Sequence, residues 1–291
     1  MRRFVILLTL LAAGALLILG VASDVLCQGV LRVPRRPAKS PPAVGVTWRD
    51  AAVTARDGVV LRGWFAPAPG GGDGCVMAMH GVADTSASAA GFAPMFLSSG
   101  YSVLAPDSRA HGRSGGDLVT YGVLERHDAL AWARWLRGQG CRRIYGLGES
   151  LGAAVLIQAA AIEPAFRAIV AECSYADLRT VGEYRVRRIA GRAAPLAGLL
   201  VESAIVYARL RYGLDLRDAS PEAAIARAST PILLIHGLAD VETPPENSRR
   251  LARANPRGPL WLAPGAGHVG AAAAAPAEFR RRVLAWFAAY R

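Results

Sequence analysis

The sequence predicts an α/β fold, an open and mostly parallel sheet of eight strands with helices on both faces. Three observations predict it. From Cys75 onward, short apolar runs alternate with stretches of helical spacing. An antiparallel pair precedes them, with Arg56-Asp57-Gly58 as its turn. Gly148-Glu149-Ser150-Leu151-Gly152 is a G-x-S-x-G set between an apolar strand run and an apolar helix run.

At 291 residues the chain has the length for one large domain and an appendage. The appendage is N-terminal. Met1-Arg2-Arg3 precedes an uncharged run from Phe4 to Ser23, and Asp24 ends it. Such a run, at about 1.5 Å per residue, spans roughly 30 Å, the thickness of a bilayer's hydrocarbon core. A signal anchor keeps this helix. A signal peptide loses it, and Val21-Ala22-Ser23 offers a small-residue cleavage site. The run is longer than a usual signal core, which favours the anchor. Arg2 and Arg3 favour an N-terminus inside, while Arg32, Arg35, Arg36 and Lys39 on the far side oppose it. The reading leans to a main domain outside the cytoplasm. Residues 1–43 thus divide into an anchor, about 4–23, and a Pro/Arg-rich linker from Leu31 to Pro42. The domain occupies 44–291, with Val44 at its edge.

Val46-Thr47-Trp48 begins the first strand run and Val59–Phe65 is the second. Cys75–Met79 is apolar throughout, as suits a parallel strand buried on both faces. A helix is expected near Ala87–Ser98, then a strand at Tyr101–Ala105. Val123–Leu136 has helical spacing, with Trp132 and Trp135 read as core. After the G-x-S-x-G unit come strands at Ala168–Ala171, Pro231–Ile235 and Pro259–Leu262. A helix over Pro276–Tyr290 closes the chain. Between Cys173 and Pro231 the alternation breaks. Leu196–Val201 and Ala204–Tyr207 read as apolar helix, flanked by Arg185, Arg187, Arg188, Arg192, Arg209 and Arg211. Long insertions in such sheets are commonly functional, so a helical lid is expected at about 175–220.

The formal net charge is +12, carried almost wholly by arginine. Attraction to anionic lipid suits a tethered protein. No basic motif with interleaved aromatics and no zinc-ligand spacing points to nucleic acid. Of the four cysteines, Cys75 and Cys173 sit in or beside strand runs and Cys141 immediately precedes one. Buried free thiols are expected there.

The strand–turn–helix setting makes Ser150 a nucleophile on a strained turn. Gly112-Arg113-Ser114-Gly115-Gly116 also fits the pattern, but no strand precedes it and no apolar helix follows. Ser114 is read as a loop serine. A serine nucleophile needs a base, an acid that orients the base, and donors for the oxyanion. The order nucleophile, acid, base selects His268, in Gly265-Ala266-Gly267-His268 after the last strand. It selects Asp240, in His236-Gly237-Leu238-Ala239-Asp240, as the acid, with Glu242 as rival. His236 is read as a support. The backbone N–H groups of Leu151 and of Val82, in the turn Met79-His80-Gly81-Val82, are expected to form the oxyanion hole.

These residues resemble the α/β-hydrolase superfamily over about Val44 to Arg291. The likeness rests on Arg56-Asp57-Gly58 to Trp64, the His80-Gly81 turn and Asp107-Ser108-Arg109-Ala110-His111-Gly112-Arg113-Ser114. It rests equally on the Ser150 turn, the Gly237–Asp240 turn and the glycines before His268. Within the superfamily the pattern looks like the lysophospholipase-like and prolyl-oligopeptidase-like serine hydrolases. The resemblance implies an α/β-hydrolase fold, a Ser–Asp–His triad and no cofactor. The turn after His80 continues Val82-Ala83-Asp84-Thr85-Ser86, without the extra glycines of HGGG-type lipases, which argues against a triglyceride lipase of that type. The expected function is a membrane-anchored serine hydrolase cleaving carboxylic or thio esters, with a small-molecule or lipid-like ester as substrate and the membrane met through the N-terminal helix. A serine peptidase of the same fold and a catalytically silent scaffold are the alternatives. The fold alone does not choose among them.

Overall fold

A computed structural model describes residues 1–37, 40–255 and 257–291. Lys39, counted above among the linker's cations, lies outside the described residues. The chain opens with helix α1 (Arg2–Leu31). β1 (Arg49–Thr54) and β2 (Val60–Ala66) form the antiparallel pair across the Arg56-Asp57-Gly58 turn. The first strand therefore starts at Arg49, just after the Val46–Trp48 run expected to open it. β3 (Gly74–Met79) follows. The helix expected near Ala87–Ser98 is two short pieces, α2 (Ser86–Ala89) and α3 (Ala93–Leu97), joined by a 3-10 turn over Ala90–Phe92. Pro94 opens the second piece; its missing N–H costs nothing in a first helical turn.

β4 (Ser102–Pro106), α4 (Glu125–Gly138), β5 (Arg143–Glu149), α5 (Leu151–Ala160) and β6 (Ala168–Glu172) alternate as expected. The insertion supplies α6 (Leu178–Ile189), α7 (Ala197–Tyr212) and α8 (Pro221–Ile225). Both of its apolar runs belong to α7, except Leu196, which ends the 3-10 turn before it. β7 (Ile232–Gly237), α9 (Glu246–Ala254), β8 (Leu260–Ala263), α10 (Ala271–Ala274) and α11 (Pro276–Ala289) complete the chain.

The strands form one sheet in the order β1-β2-β4-β3-β5-β6-β7-β8. β2 runs antiparallel to β1 and β4, and every other pair is parallel. Alternate side chains of a strand face opposite sides of a sheet, and the core divides accordingly. Met77, Leu104 and Ile169 face α4 and α5, where Trp132 is buried. Val76, Val103 and Val170 face the other side, with Phe96 of α3 and Phe279, Val283 and Phe287 of α11.

α1 does not stop at Ser23. Its first five turns are exposed, but Ser23, Cys27 and Leu31, spaced by four, form a buried stripe against α7. Cys27 Sγ donates to the Ala204 carbonyl at 3.2 Å, and Tyr207 Oη donates to Asp24 Oδ1 at 2.7 Å. Gln28 Nε2 donates to Tyr212 Oη at 3.0 Å. Residue numbers rise together along the contact, so the two helices run parallel. The segment beyond α1 is also held. The Val119 amide donates to the Leu31 carbonyl at 2.8 Å. The Arg35 guanidinium donates to the carbonyls of Gly112, Ser114 and Gly116. Part of the segment read as an extended linker is thus docked on the domain.

The cysteines need a correction. Cys75 and Cys141 form a disulfide closing a separation of 66 residues, while Cys27 and Cys173 are free and buried. β3 and β5 are sheet neighbours with Cys75 opposite Ile144, so the chain just before β5 passes the start of β3. That neighbour relation is non-local, and the expectation of free thiols at Cys75 and Cys141 missed it.

Candidate active site

β5 delivers the chain to Ser150, and α5 begins at the next residue. Ser150 has φ 50° and ψ −108°, a strained conformation for a residue with a side chain. A Cβ on Gly148 would come within 2.5 Å of the Ala153 amide nitrogen, and one on Gly152 within 2.3 Å of the Met79 carbonyl oxygen. Only glycine lets strand, helix and the neighbouring β3 close on the turn. The Ser150 amide donates to the Glu172 carbonyl of β6 at 2.8 Å, which fixes the turn to the sheet.

The loops after β7 and β8 meet this turn. His268 Nε2 lies 2.9 Å from Ser150 Oγ, and His268 Nδ1 lies 2.7 Å from Asp240 Oδ2. A carboxylate beside Nδ1 assigns the proton to that nitrogen and leaves the Nε2 lone pair facing the hydroxyl. Asp240 Oδ1 accepts from the amides of Glu242 and Thr243 at 2.9 and 3.0 Å. His236 Nε2 faces two acceptors, the Thr243 carbonyl at 2.7 Å and Asp240 Oδ2 at 3.1 Å, so it carries the proton. Its Nδ1 then accepts from Ser248 Oγ at 2.6 Å. His236 steadies Asp240, the supporting part expected of it. Burial pushes the Asp240 carboxyl up, but the hydrogen bonds from His236, His268 and the Thr243 amide outweigh it. The carboxyl is held below its ordinary value. The Glu242 side chain is exposed and only its amide reaches the site.

The amides of Val82 and Leu151 donate to no protein acceptor among the described residues. Two neutral histidines hold the turn that carries Val82. His80 Nε2 accepts from the Ser108 amide at 3.0 Å, and His111 Nε2 accepts from the Ala83 amide at 3.0 Å. Burial holds His80 down to about 4 and lowers His111 as well, so neither ring carries charge at neutral pH. The supporting part of His111 had no signal in the sequence beyond its place after Arg109-Ala110. Ser114 is buried, donating to the Asp107 carbonyl at 2.7 Å and accepting from the Arg62 amide at 2.8 Å. It is a loop serine whose hydroxyl is bonded to backbone groups.

Sequence reasoning also missed two carboxyls behind Ser150. Glu149 and Glu172 are cross-strand neighbours on β5 and β6. Burial pushes Glu149 up to about 8, helped by the charge of Glu172. Burial pushes Glu172 up to about 7, against the pull of the Ala271 amide, which donates to its Oε1 at 2.9 Å. The sign of the stability effect follows. From the ordinary value of 4.5 up to about 7, the folded protein keeps a proton on Glu172 that the unfolded chain releases. The stabilisation is complete below pH 4.5 and is lost as pH rises through about 7. The loss is on the order of a few kcal/mol. Glu172→Gln is expected to flatten this decline. Urea midpoints measured from pH 4.5 to 8 check it, and an unchanged slope in the variant refutes it.

A profile of the Alpha/beta hydrolase family matches residues 68–282. The Mycobacterium tuberculosis protein Rv2307c is 32% identical over 238 residues, covering 80% of this chain and 76% of its own. The Pyrococcus furiosus esterase Pf2001 superposes with a TM-score of 0.73 at 25% identity, over 89% of this chain and 99% of that one. A puromycin-hydrolyzing peptidase of M. tuberculosis superposes with a TM-score of 0.68 at 20% identity, over 87% of this chain and 41% of that one, a likeness of fold alone. Since the matched profile spans Ser150 through His268 on this sheet, the chain belongs to the Alpha/beta hydrolase family.

Proposed function

We propose that this hydrolase is a membrane-anchored serine esterase of the lysophospholipase-like kind, acting on carboxylic or thio esters. One observation carries the reading: the hydrogen-bonded line Ser150, His268, Asp240 at 2.9 and 2.7 Å, beside two backbone amides without acceptors among the described residues. Ser150 Oγ attacks the carbonyl carbon while His268 Nε2 takes its proton. Asp240 stabilises the imidazolium that forms. The Val82 and Leu151 amides receive the developing oxyanion. His268 then returns the proton to the leaving alcohol or thiol, and water repeats the sequence to free the acid. No cofactor enters. The esterase Pf2001 supports ester chemistry over peptide cleavage.

The anchor reading has its own support. α1 is continuous through Val21-Ala22-Ser23 and docks on the lid beyond it, so cleavage there would cut a helix. A disulfide at Cys75–Cys141 suits an oxidising compartment and a domain outside the cytoplasm. Arg35 opposes that orientation less than its charge suggests, because loop carbonyls engage it.

A fluorophosphonate probe tests the chemistry. Covalent labelling mapped by mass spectrometry to Ser150 is expected, and an unlabelled folded protein overturns the assignment. Alkaline carbonate washing of membranes tests the anchor. The protein is expected in the pellet with its N-terminus intact. Release with a new terminus at Asp24 favours a cleaved signal peptide.

A further inference from the structure

We propose that the last two turns of α1 form one wall of the pocket that holds the substrate's acyl chain. The substrate class is then a long-chain ester drawn from the bilayer that surrounds the first five turns of the same helix. The inference rests on the serine-hydrolase reading above and deepens it.

A cavity of about 200 Å³ opens at Ser150. Val181 and Val186 of α6 and Val201 and Ile205 of α7 roof it. Leu26, Cys27, Val30 and Leu31 of α1 close the far side. The polar groups in these walls have protein partners. Tyr121 Oη donates to the Val30 carbonyl, Tyr175 Oη to the Tyr121 carbonyl and Cys27 Sγ to the Ala204 carbonyl. Arg185 Nε donates to the Glu242 carbonyl at 3.3 Å. The walls therefore offer hydrocarbon contact and ask for hydrocarbon in return.

The reaction geometry says which end of the ester lies there. The cavity touches Ser150 and the oxyanion residues Val82 and Leu151, and does not touch His268. The leaving group must lie at His268 Nε2 to receive its proton. The chain in the cavity is therefore the acyl chain.

The mouth faces the bilayer. Ile189 both lines the cavity and is 83% exposed, which marks the opening. α1 and α7 run parallel, so the N-terminal end of α7 lies towards the free part of α1. Leu196 and Leu199 are exposed at that end, and Arg187, Arg188 and Arg192 flank them. Apolar side chains ringed by arginine suit the level where acyl chains meet anionic headgroups. Because Cys27 and Leu31 pack on the lid, the anchor is part of the binding site as well as a tether.

The test uses the full chain in phospholipid nanodiscs with p-nitrophenyl esters from acetyl to hexadecanoyl. For the native protein kcat/KM is expected to rise with acyl length. Val30→Trp, which fills the cavity, is expected to cut the dodecanoyl-to-acetyl ratio of kcat/KM at least tenfold. Val30→Ala is expected to move the optimum to longer chains. Val25→Trp, on the exposed face of the same helix, is expected to keep the native profile. Equal losses on every chain length, or an unmoved profile in both Val30 variants, overturn the inference. So does selectivity that follows the alcohol chain in a series of alkyl acetates.

A second measurement needs no variant. A long-chain alkyl fluorophosphonate with a terminal diazirine is bound to Ser150 and irradiated. Crosslinks to the peptide containing residues 26–31 are expected. Labelled Ser150 with crosslinks only elsewhere overturns the pocket and leaves the hydrolase reading standing. No labelling of Ser150 overturns both.

Discussion

Ser150→Ala is expected to lower kcat for ester hydrolysis by about 10⁵-fold or more and to abolish fluorophosphonate labelling. Among the described residues, the hydroxyl is the only hydrogen-bond partner of His268 Nε2, at 2.9 Å. Ser114, in the second G-x-S-x-G, is not placed to replace it. Ser114 satisfies its own hydrogen bonds in the loop after β4, to Asp107 and Arg62. Ser114→Ala should therefore keep kcat and lose roughly 1 kcal/mol of stability from the buried hydrogen bonds. Alanine at 150 keeps a side-chain Cβ at the same positive φ, so the fold should be unaltered. Steady-state kinetics and thermal melts of the two variants decide it. Robust activity in purified Ser150→Ala would remove the turn from the chemistry.

Asp240→Asn is the second large effect, with kcat expected to fall by about 10⁴-fold. The hydrogen bonds show why. Oδ1 accepts from the Glu242 and Thr243 amides, so the asparagine oxygen must take that place. Its NH₂ group then faces His268 Nδ1 and His236 Nε2, both of which carry protons in the native arrangement. Donor meets donor. His268 must move its proton to Nε2, and that tautomer cannot take the proton from Ser150. The new imidazolium would also lose its counter-charge. Glu242→Gln alters only an exposed side chain and should keep kcat within about twofold. Kinetics of the two variants on one soluble ester separate them. The reverse ranking would make Glu242 the acid.

Much of the site was legible because its constraints are local or ordered along the chain. Gly148 and Gly152 are needed by atoms a few residues away and by one neighbouring strand, so the G-x-S-x-G marks the turn directly. Asp240 and His268 each lie in the loop that follows a strand, and such loops in a parallel sheet converge on one edge. The order nucleophile, acid, base then picked out the two residues that the structure brings to Ser150. Glu149 and Glu172 escaped because their meeting depends on the register of β5 against β6. α9 escaped because its arginine-rich sequence carries few apolar side chains to set a period.

The sequence by itself determined the parallel sheet with its antiparallel start, the helical insertion, the strained serine turn and the apolar N-terminal helix. Each is written in short-range periodicity or in the steric needs of adjacent residues. Only the tertiary structure decided that Cys75 meets Cys141, because strand adjacency across 66 residues is not local information. Only it decided where α1 ends its free run. The buried stripe Ser23, Cys27, Leu31 has helical spacing, but it lies in a helix apolar on every side, so no contrast marks it. What distinguishes that stripe is a partner, α7, with Ala204 lying 177 residues beyond Cys27, and contact free energy between distant segments exists only once the chain has folded.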